Sequence, residues 1–158
     1  CYSSKNLVDW KYEGVCLTFP KEGWLALGSC HRPNVLRCPK TRKFVMWFFC
    51  LGTTEPEYPA AMLAVAVADQ PAGPFRFLDQ RHSAEEHGWG QDLGLFQDTD
   101  GQGYIVYDDG HRNMRVDLLA DDYLSSSGRT ALALKSDRAA GNIPVVQERA
   151  VPIDRHWC

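Results

Sequence analysis

One stretch of the chain, residues 91–109, has the pattern of a β-hairpin. A short apolar run is followed by a turn sequence at residues 98–103, and then by β-branched and aromatic residues at 104–107. The dipeptide Asp100-Gly101 within the turn is a strong hairpin signal, because glycine tolerates the positive φ that a tight turn needs. This stretch therefore predicts two antiparallel strands joined by a short turn.

The same hairpin pattern occurs once earlier in the chain. Residues 35–36 match residues 95–96, and residues 44–47 match residues 104–107, in both cases at a spacing of 60 positions. In the earlier copy, the sequence from Pro39 to Lys43 takes the place of the Asp-Gly turn. Two hairpins at a constant spacing indicate an internal repeat.

Two further elements of the repeat can be found. Residues 64–69 match residues 116–121, which predicts a third strand, and residues 4–12 match residues 69–77, which predicts an aromatic fourth strand. Four antiparallel strands that recur roughly every 40 to 60 residues are typical of the blades of a β-propeller. We therefore predict an all-β fold with little helix, in which about two to three blades of a propeller are present. A plain β-sandwich with coincidentally similar strands is the alternative.

Length and charge limit the classes of function. The 158 residues are enough for one domain, residues 1–158, and the net charge of −3 gives no electrostatic reason to expect a nucleic-acid or membrane partner. The sequence shows no apolar run long enough to span a bilayer and no signal-peptide pattern. Both ends of the chain fall inside the repeat, so we expect a segment of a longer protein or a partial gene model.

The cysteines and histidines do not have the spacing of a metal site. The six cysteines are spread along the chain without a Cys-x-x-Cys pair, which argues against a zinc ribbon or a redox motif. They allow many complete pairings, and buried thiols are an equally good interpretation. The turn at Asp98 begins like a calcium loop but lacks the later ligands. We therefore expect no metal and no cofactor.

Five separate motifs cover about residues 2–128. The motifs are YSSKNLVDWKYEG at 2–14, HRPNVLRCPKTRKFVMWFF at 31–49, AVAVADQPAGPFRF at 64–77, QDLGLFQDTDGQGYIVY at 91–107 and LADDYLS at 119–125. Together, and in this order, they resemble glycoside hydrolase family 43, and most closely its exo-β-1,3-galactanase branch. The resemblance implies a five-bladed β-propeller, a carbohydrate substrate and a protein of the secretory pathway or the extracellular space.

The resemblance also implies a mechanism and two catalytic carboxylates. The family hydrolyses a glycosidic bond with inversion, for which a general acid and a general base are separated widely enough to admit water. By the family's motif, Asp92 corresponds to an aspartate that raises the pKa of the general acid and orients the sugar. Glu148 corresponds to the general acid itself. From the residues alone, Asp92 could instead cap a turn, and Glu148 could be an exposed charge.

Three further residues are implied in binding the sugar. The galactanase branch has a glutamate where this chain has His31, which can bond a hydroxyl but does not carry a carboxylate's charge. Arg32 keeps its place and is expected to bind the sugar or to pair with Asp92. Trp89 is expected to stack on a sugar ring, whereas Trp47 is expected in the core. A junction of loop and strand in the core is the alternative for His31 and Arg32.

These observations lead to one main hypothesis and two alternatives. The main hypothesis is an inverting glycoside hydrolase that acts on β-1,3-galactan or a related plant or algal polysaccharide. A carbohydrate-binding propeller without catalytic activity is the first alternative, and His31 in place of a glutamate favours it. A truncated product with no function of its own is the second.

Overall fold

A computed structural model of the chain describes residues 1–19, 29–51, 61–82, 91–108 and 113–135. These residues form β-strands and turns, and no helix occurs among them. The strands, in chain order, are β1 (Tyr2–Ser3), β2 (Lys11–Tyr12), β3 (Ser29–Arg37), β4 (Phe44–Leu51), β5 (Ala61–Ala68), β6 (Arg76–His82), β7 (Gln91–Gln97), β8 (Gly103–Asp108), β9 (Met114–Leu119) and β10 (Ser126–Leu134).

The strands form two four-stranded antiparallel sheets and one two-stranded sheet. The first large sheet has the order β3-β4-β5-β6 and the second has the order β7-β8-β9-β10, while β1 pairs with β2. In both large sheets each strand therefore pairs with its neighbours in the sequence. This arrangement confirms the predicted all-β fold, and a four-stranded unit occurs twice. The predicted fourth strand was misplaced: after residue 69 it begins only at Arg76, and within residues 4–12 only Lys11–Tyr12 is a strand, which pairs with β1 outside the two large sheets.

The two predicted hairpin turns are present at corresponding places. In the first sheet, the amide of Arg42 donates to the carbonyl of Cys38 over 2.9 Å, and Arg42 has a φ of 61°. In the second sheet, the amide of Gly101 donates to the carbonyl of Asp98 over 2.9 Å, and Gly101 has a φ of 81°. Both turns thus use one residue of positive φ, which glycine adopts at lower cost than arginine.

Two strands extend into segments that the sequence assigned to loops. The sequence of residues 79–90 predicts a long loop, but β6 continues to His82, where its backbone pairs with Leu63 of β5. The Ser-rich sequence 125–128 likewise predicts a turn-rich connector, but β10 begins at Ser126. Both predictions were wrong because pairing with a neighbouring strand outweighed the polar composition of these segments.

One hydrophobic core lies between the two large sheets. The central strand β4 contributes Trp47, whose indole nitrogen donates to the carbonyl oxygen of Tyr123 over 2.8 Å. The prediction that Trp47 belongs to the core is therefore confirmed. The core is formed by Cys38, Val45, Trp47, Phe49, Leu63 and Val65 from the first sheet and its turns, and by Leu93, Ile105, Tyr107, Leu119 and Tyr123 from the second.

A second core covers the opposite face of the first sheet. The N-terminal segment 15–19 lies on this face, where the ring of Phe19 contacts that of Phe48 edge-on at 6.1 Å between centroids. The amide of Phe75 donates to the carbonyl of Cys16 over 2.6 Å and holds the segment in place. Since β4 is buried on both faces, it is apolar at every position instead of alternating.

Gly103 provides a test of the packing between the sheets. A Cβ atom on Gly103 would lie 2.8 Å from the ring of Tyr123, whose hydroxyl bonds to both Gly101 and Gln97 and so keeps the ring in position. We expect Gly103→Ala to lower the free energy of unfolding by about 1–3 kcal/mol in urea denaturation. Gly94→Ala is the matched control, because a Cβ on Gly94 would have no atom within 4 Å beyond its chain neighbours. Equal stabilities of the two variants would contradict the prediction.

A buried tyrosine predicts a loss of stability at alkaline pH. Tyr107 donates a hydrogen bond of 3.3 Å to the carboxylate of Asp117, and both side chains are buried. Burial, and then the charge of Asp117, raises the pKa of Tyr107 from 10.0 to about 12. Because the folded state holds this proton more tightly, its contribution to stability is complete below pH 10 and is lost as the pH rises towards 12.

The comparison of wild type with Tyr107→Phe measures this effect. We expect the free energy of unfolding of the wild type to fall more steeply between pH 10 and 12 than that of the variant. At neutral pH the variant should be less stable by about 1–3 kcal/mol, because it leaves the Asp117 carboxylate without this donor. The thiols of Cys30 and Cys50, whose pKa values burial raises to about 11, affect both proteins equally. Parallel pH profiles would contradict the prediction.

Candidate functional site

The candidate site lies where the first strands of the two large sheets begin. Strands β3 and β7 are edge strands of their sheets and lie beside each other, since the Asn34 side chain on β3 reaches the carbonyl of Leu93 on β7. At this end of the sheets Ser29 pairs with Leu51, and Gln91 pairs with Asp108. The repeat therefore brings to one place the starts of two equivalent strands, whose matched residues are 60 positions apart in sequence.

Each of these strand starts contains a β-bulge with an unusual backbone conformation. The register of β3 against β4 shifts between His31 and Asn34, and that of β7 against β8 shifts between Gln91 and Leu93. Arg32, with a φ of 49°, and Asp92, with a φ of 39°, occupy the bulges. Left-handed backbone at a residue other than glycine costs energy and concentrates at functional sites. Two such residues at equivalent positions make this strand junction the strongest site candidate.

The two bulge residues contact each other directly. The Nε of Arg32 lies 2.5 Å from Oδ1 of Asp92, and the side chains are 60% and 62% exposed. An ion pair this exposed contributes little to stability, so it does not offset the cost of the two backbone conformations. It does orient the carboxylate while leaving both groups accessible to a ligand. Of the two roles expected for Arg32, pairing with Asp92 is observed, binding of the sugar stays a prediction, and Arg32 does not lie in the core.

His31 lies beside this pair and is also accessible. Its Nε2 is 2.8 Å from the hydroxyl of Ser29, two residues earlier on the same face of β3. Its ring lies near that of Phe49 on β4, with 6.3 Å between centroids. Because His31 is exposed, the alternative that placed it in the core is wrong. Its role in sugar binding stays a prediction.

Asn34 is a residue of this site that the sequence did not single out. Its side-chain amide donates to the carbonyl of Arg32 over 3.1 Å and to the carbonyl of Leu93 over 3.4 Å. It therefore links the backbones next to both bulge residues. The only signal in the sequence is an amide side chain two positions after Arg32, which by itself does not distinguish a link between strands from an ordinary turn residue.

The other two predicted site residues, Glu148 and Trp89, lie outside the described residues. The same holds for Trp24 and Tyr58, two further aromatic residues that the sequence offers for stacking on a sugar ring. Within the five described segments, no three His, Cys, Asp or Glu side chains are arranged to hold a metal ion. In those segments, too, no helix has the length and apolar character to cross a membrane.

The arrangement is suited to binding a polyhydroxylated ligand. A carboxylate accepts hydrogen bonds, a guanidinium donates them, and an imidazole can do either, so the three groups can bond neighbouring hydroxyls. A carboxylate in such a place would also raise the pKa of a second acid nearby. Fold and site together define an all-β repeat protein with a polar, carboxylate-containing site at the junction of two sheets.

The chain belongs to glycosyl hydrolases family 43, because the family model matches residues 1–148. The match extends beyond the range of about 2–128 covered by the sequence motifs. The predicted family is therefore confirmed. None of the curated proteins is detectably similar to this chain in sequence.

Solved structures with this fold include enzymes that act on β-1,3-linked galactose. The family 43 β-1,3-galactosidase BT3683, with galactodeoxynojirimycin, is 29% identical, with a TM-score of 0.70 over 82% of this chain and 51% of its own. A candidate exo-β-1,3-galactanase from Bifidobacterium bifidum s17 is 37% identical, with a TM-score of 0.68 over 80% of this chain and 41% of its own.

A third structure contains an oligosaccharide. It is a variant of the exo-β-1,3-galactanase of Phanerochaete chrysosporium with β-1,3-galactotriose, and it is 27% identical, with a TM-score of 0.68 over 80% of this chain and 29% of its own. This chain thus spans about half or less of the length of the structures that it matches.

Proposed function

We propose that this chain is part of an inverting glycoside hydrolase that acts on β-1,3-galactan or a related plant or algal polysaccharide. The observation that carries the proposal is the accessible Asp92 carboxylate, which Arg32 orients at the junction of two sheets in a family 43 chain. The substrate class is supported by the similar structures, whose descriptions name β-1,3-galactosidases and exo-β-1,3-galactanases.

In this proposal each site residue has its own role in hydrolysis or in sugar binding. Asp92 raises the pKa of the general acid by its negative charge and bonds a sugar hydroxyl with its accessible surface. Glu148 is the general acid, which protonates the leaving oxygen. Arg32 and His31 bond hydroxyls of the sugar, and Trp89 stacks on its apolar face. Asn34 maintains the separation of the two bulges through its bonds to both backbones.

The proposal extends to the architecture and the location of the protein. Each large sheet is one blade of a five-bladed β-propeller, of which about two to three blades lie in this chain, and the site is on the propeller's axis. The protein acts outside the cell, because its substrate is a polymer. A structure of the longest natural polypeptide that contains this chain would test the blade count, and finding that polypeptide only inside cells would contradict the location.

The decisive experiment measures galactose released from β-1,3-galactan by the chain and by the longest natural polypeptide that contains it. We expect release from the non-reducing end, with α-galactose as the first product in proton NMR, because inversion converts a β-linkage into the α-anomer. Release of β-galactose first would contradict the inverting mechanism. A folded sample of the longer polypeptide that releases no sugar would overturn the enzyme proposal.

One observation favours a second function, which is carbohydrate binding without hydrolysis. His31 stands where the galactanase branch has a glutamate, and its ring is accessible beside Arg32 and Asp92. Titration calorimetry with β-1,3-galactobiose separates the two functions. Binding without release of galactose would support the binding protein, whereas neither binding nor release in a folded sample would indicate a fragment with no function of its own.

A further inference from the structure

A cluster of cysteines lies on the face of the first sheet that is turned away from the second sheet. Cys50 on β4 is buried in this face, and Cys30 on β3 and Cys16 in the N-terminal segment pack against it. We call these three residues the thiol cluster. All three are present as thiols, and they lie apart from the core that contains Cys38. The cluster takes no part in the proposed hydrolysis.

Two members of the cluster are direct cross-strand neighbours. Cys30 and Cys50 are paired in the register of β3 against β4, so their side chains project from the same face. Residues directly opposite in an antiparallel pair have Cα atoms roughly 4.5–5.5 Å apart. A disulfide requires a Cα separation of roughly 4.4–6.8 Å, so the backbone already has the necessary spacing.

The other described cysteines are placed less favourably. The backbone of Cys16 is bonded to Phe75, the residue before β6, and β6 is three strands away from β3 in the sheet. Cys16 is near enough to Cys30 for the two thiols to interact electrostatically, but no strand register holds it directly opposite Cys30 as it holds Cys50. Cys38 lies in the other core, where its thiol donates to the carbonyl of Asp121, and Cys1 is exposed at the N-terminal strand pair.

We propose that Cys30 and Cys50 are a site of thiol oxidation and form a cross-strand disulfide in the presence of a small disulfide oxidant such as oxidised glutathione. The thiolate of Cys30, the more accessible of the two, attacks one sulfur of the oxidant and releases one glutathione. The thiolate of Cys50 then attacks the sulfur of Cys30 in the mixed disulfide and releases the second glutathione. Two protein thiols are oxidised, one oxidant disulfide is reduced, and the two thiol protons end on the released glutathiones.

The bond would join β3 and β4 next to the candidate site, because Cys30 directly precedes His31. It would close a loop that includes the first hairpin and restrict the unfolded chain, so the oxidised form should resist unfolding. Burial raises the pKa of both thiols to about 11. A neighbouring thiol contributes to the rise of each pKa, Cys16 for Cys30 and Cys30 for Cys50. The thiolate fraction is therefore small at neutral pH, and oxidation should be faster in mildly alkaline buffer.

The test is peptide mapping of the full 158-residue chain after equilibration with oxidised glutathione. Remaining thiols are alkylated, and the protein is cleaved with trypsin, which separates the three cysteines into peptides 12–21, 22–37 and 44–76. We expect peptides 22–37 and 44–76 to be recovered as one disulfide-linked species. Alkylation of both cysteines, stable glutathione adducts, or a link between peptides 12–21 and 22–37 would each overturn the proposal.

Variants and unfolding measurements complete the test. Cys30→Ser should abolish the linked species, whereas Cys1→Ser and Cys16→Ser should retain it. The oxidised wild type should unfold at a temperature several degrees above that of the reduced form, and oxidant should leave the unfolding temperature of Cys30→Ser unchanged. An equal shift in Cys30→Ser and wild type would mean that another reaction causes it. Peptide mapping of the wild type still decides the proposal if a variant fails to fold.

Discussion

Replacing Asp92 with asparagine is expected to lower the rate of galactose release from β-1,3-galactan by roughly 10²- to 10⁴-fold. Asparagine has nearly the same shape and still accepts a hydrogen bond from Arg32, but it carries no charge. Without the negative charge of Asp92, the pKa of the general acid falls. The acid then loses its proton at a lower pH, so the alkaline limb of the kcat profile should move to lower pH in the variant.

The control for this experiment is Asp69→Asn. Asp69 is another exposed aspartate in an ion pair, with Lys43, but it lies at the opposite end of the first sheet, just after the residue that pairs with Phe44. It should keep the wild-type rate and pH profile. Since both ion pairs are exposed, neither variant should change the free energy of unfolding by more than about 1 kcal/mol. Activity of Asp92→Asn close to that of the wild type, or equal losses in both variants, would contradict the role of Asp92.

The second large effect is expected for Trp47→Ala. Trp47 is only 2% exposed and belongs to the core between the sheets, where its indole bonds the backbone of Tyr123. Removing a buried tryptophan leaves a cavity and an unsatisfied carbonyl, so we expect the free energy of unfolding to fall by about 3–5 kcal/mol in urea denaturation. Because both sheets share this core, they should lose their structure in one transition.

Two further variants separate the causes of that loss. Trp47→Phe keeps most of the apolar volume and removes the hydrogen bond, so it should retain more of the stability than the alanine variant. Val35→Ala removes an apolar side chain from β3 that is 40% exposed, and we expect a loss below about 1 kcal/mol. A loss of that size for Trp47→Ala would show that the two sheets do not depend on this contact.

Much of the fold followed from local patterns. The Asp-Gly turn and the spacing of 60 positions between the two hairpins predicted the hairpin strands, because side-chain patterns and turn chemistry act over a few residues. The expectation that Trp47 belongs to the core was also correct. The polar ends of β6 and β10 were missed, since their strand conformation depends on a partner strand and not on their own composition.

The candidate site, too, was predictable from the sequence only in part. The motifs singled out His31, Arg32 and Asp92 and connected them with sugar chemistry, since residue types in a fixed order can be recognised along the chain. Three features could not be read from the sequence: the link that Asn34 makes, the left-handed backbone at both bulges, and the pairing of Cys30 with Cys50. Each depends on strand register and on two sheets lying side by side, and residues 20 or 60 positions apart meet only when the chain has folded. The sequence by itself therefore determined the repeat and the chemistry of the candidate residues, and only the tertiary structure decided which of them touch.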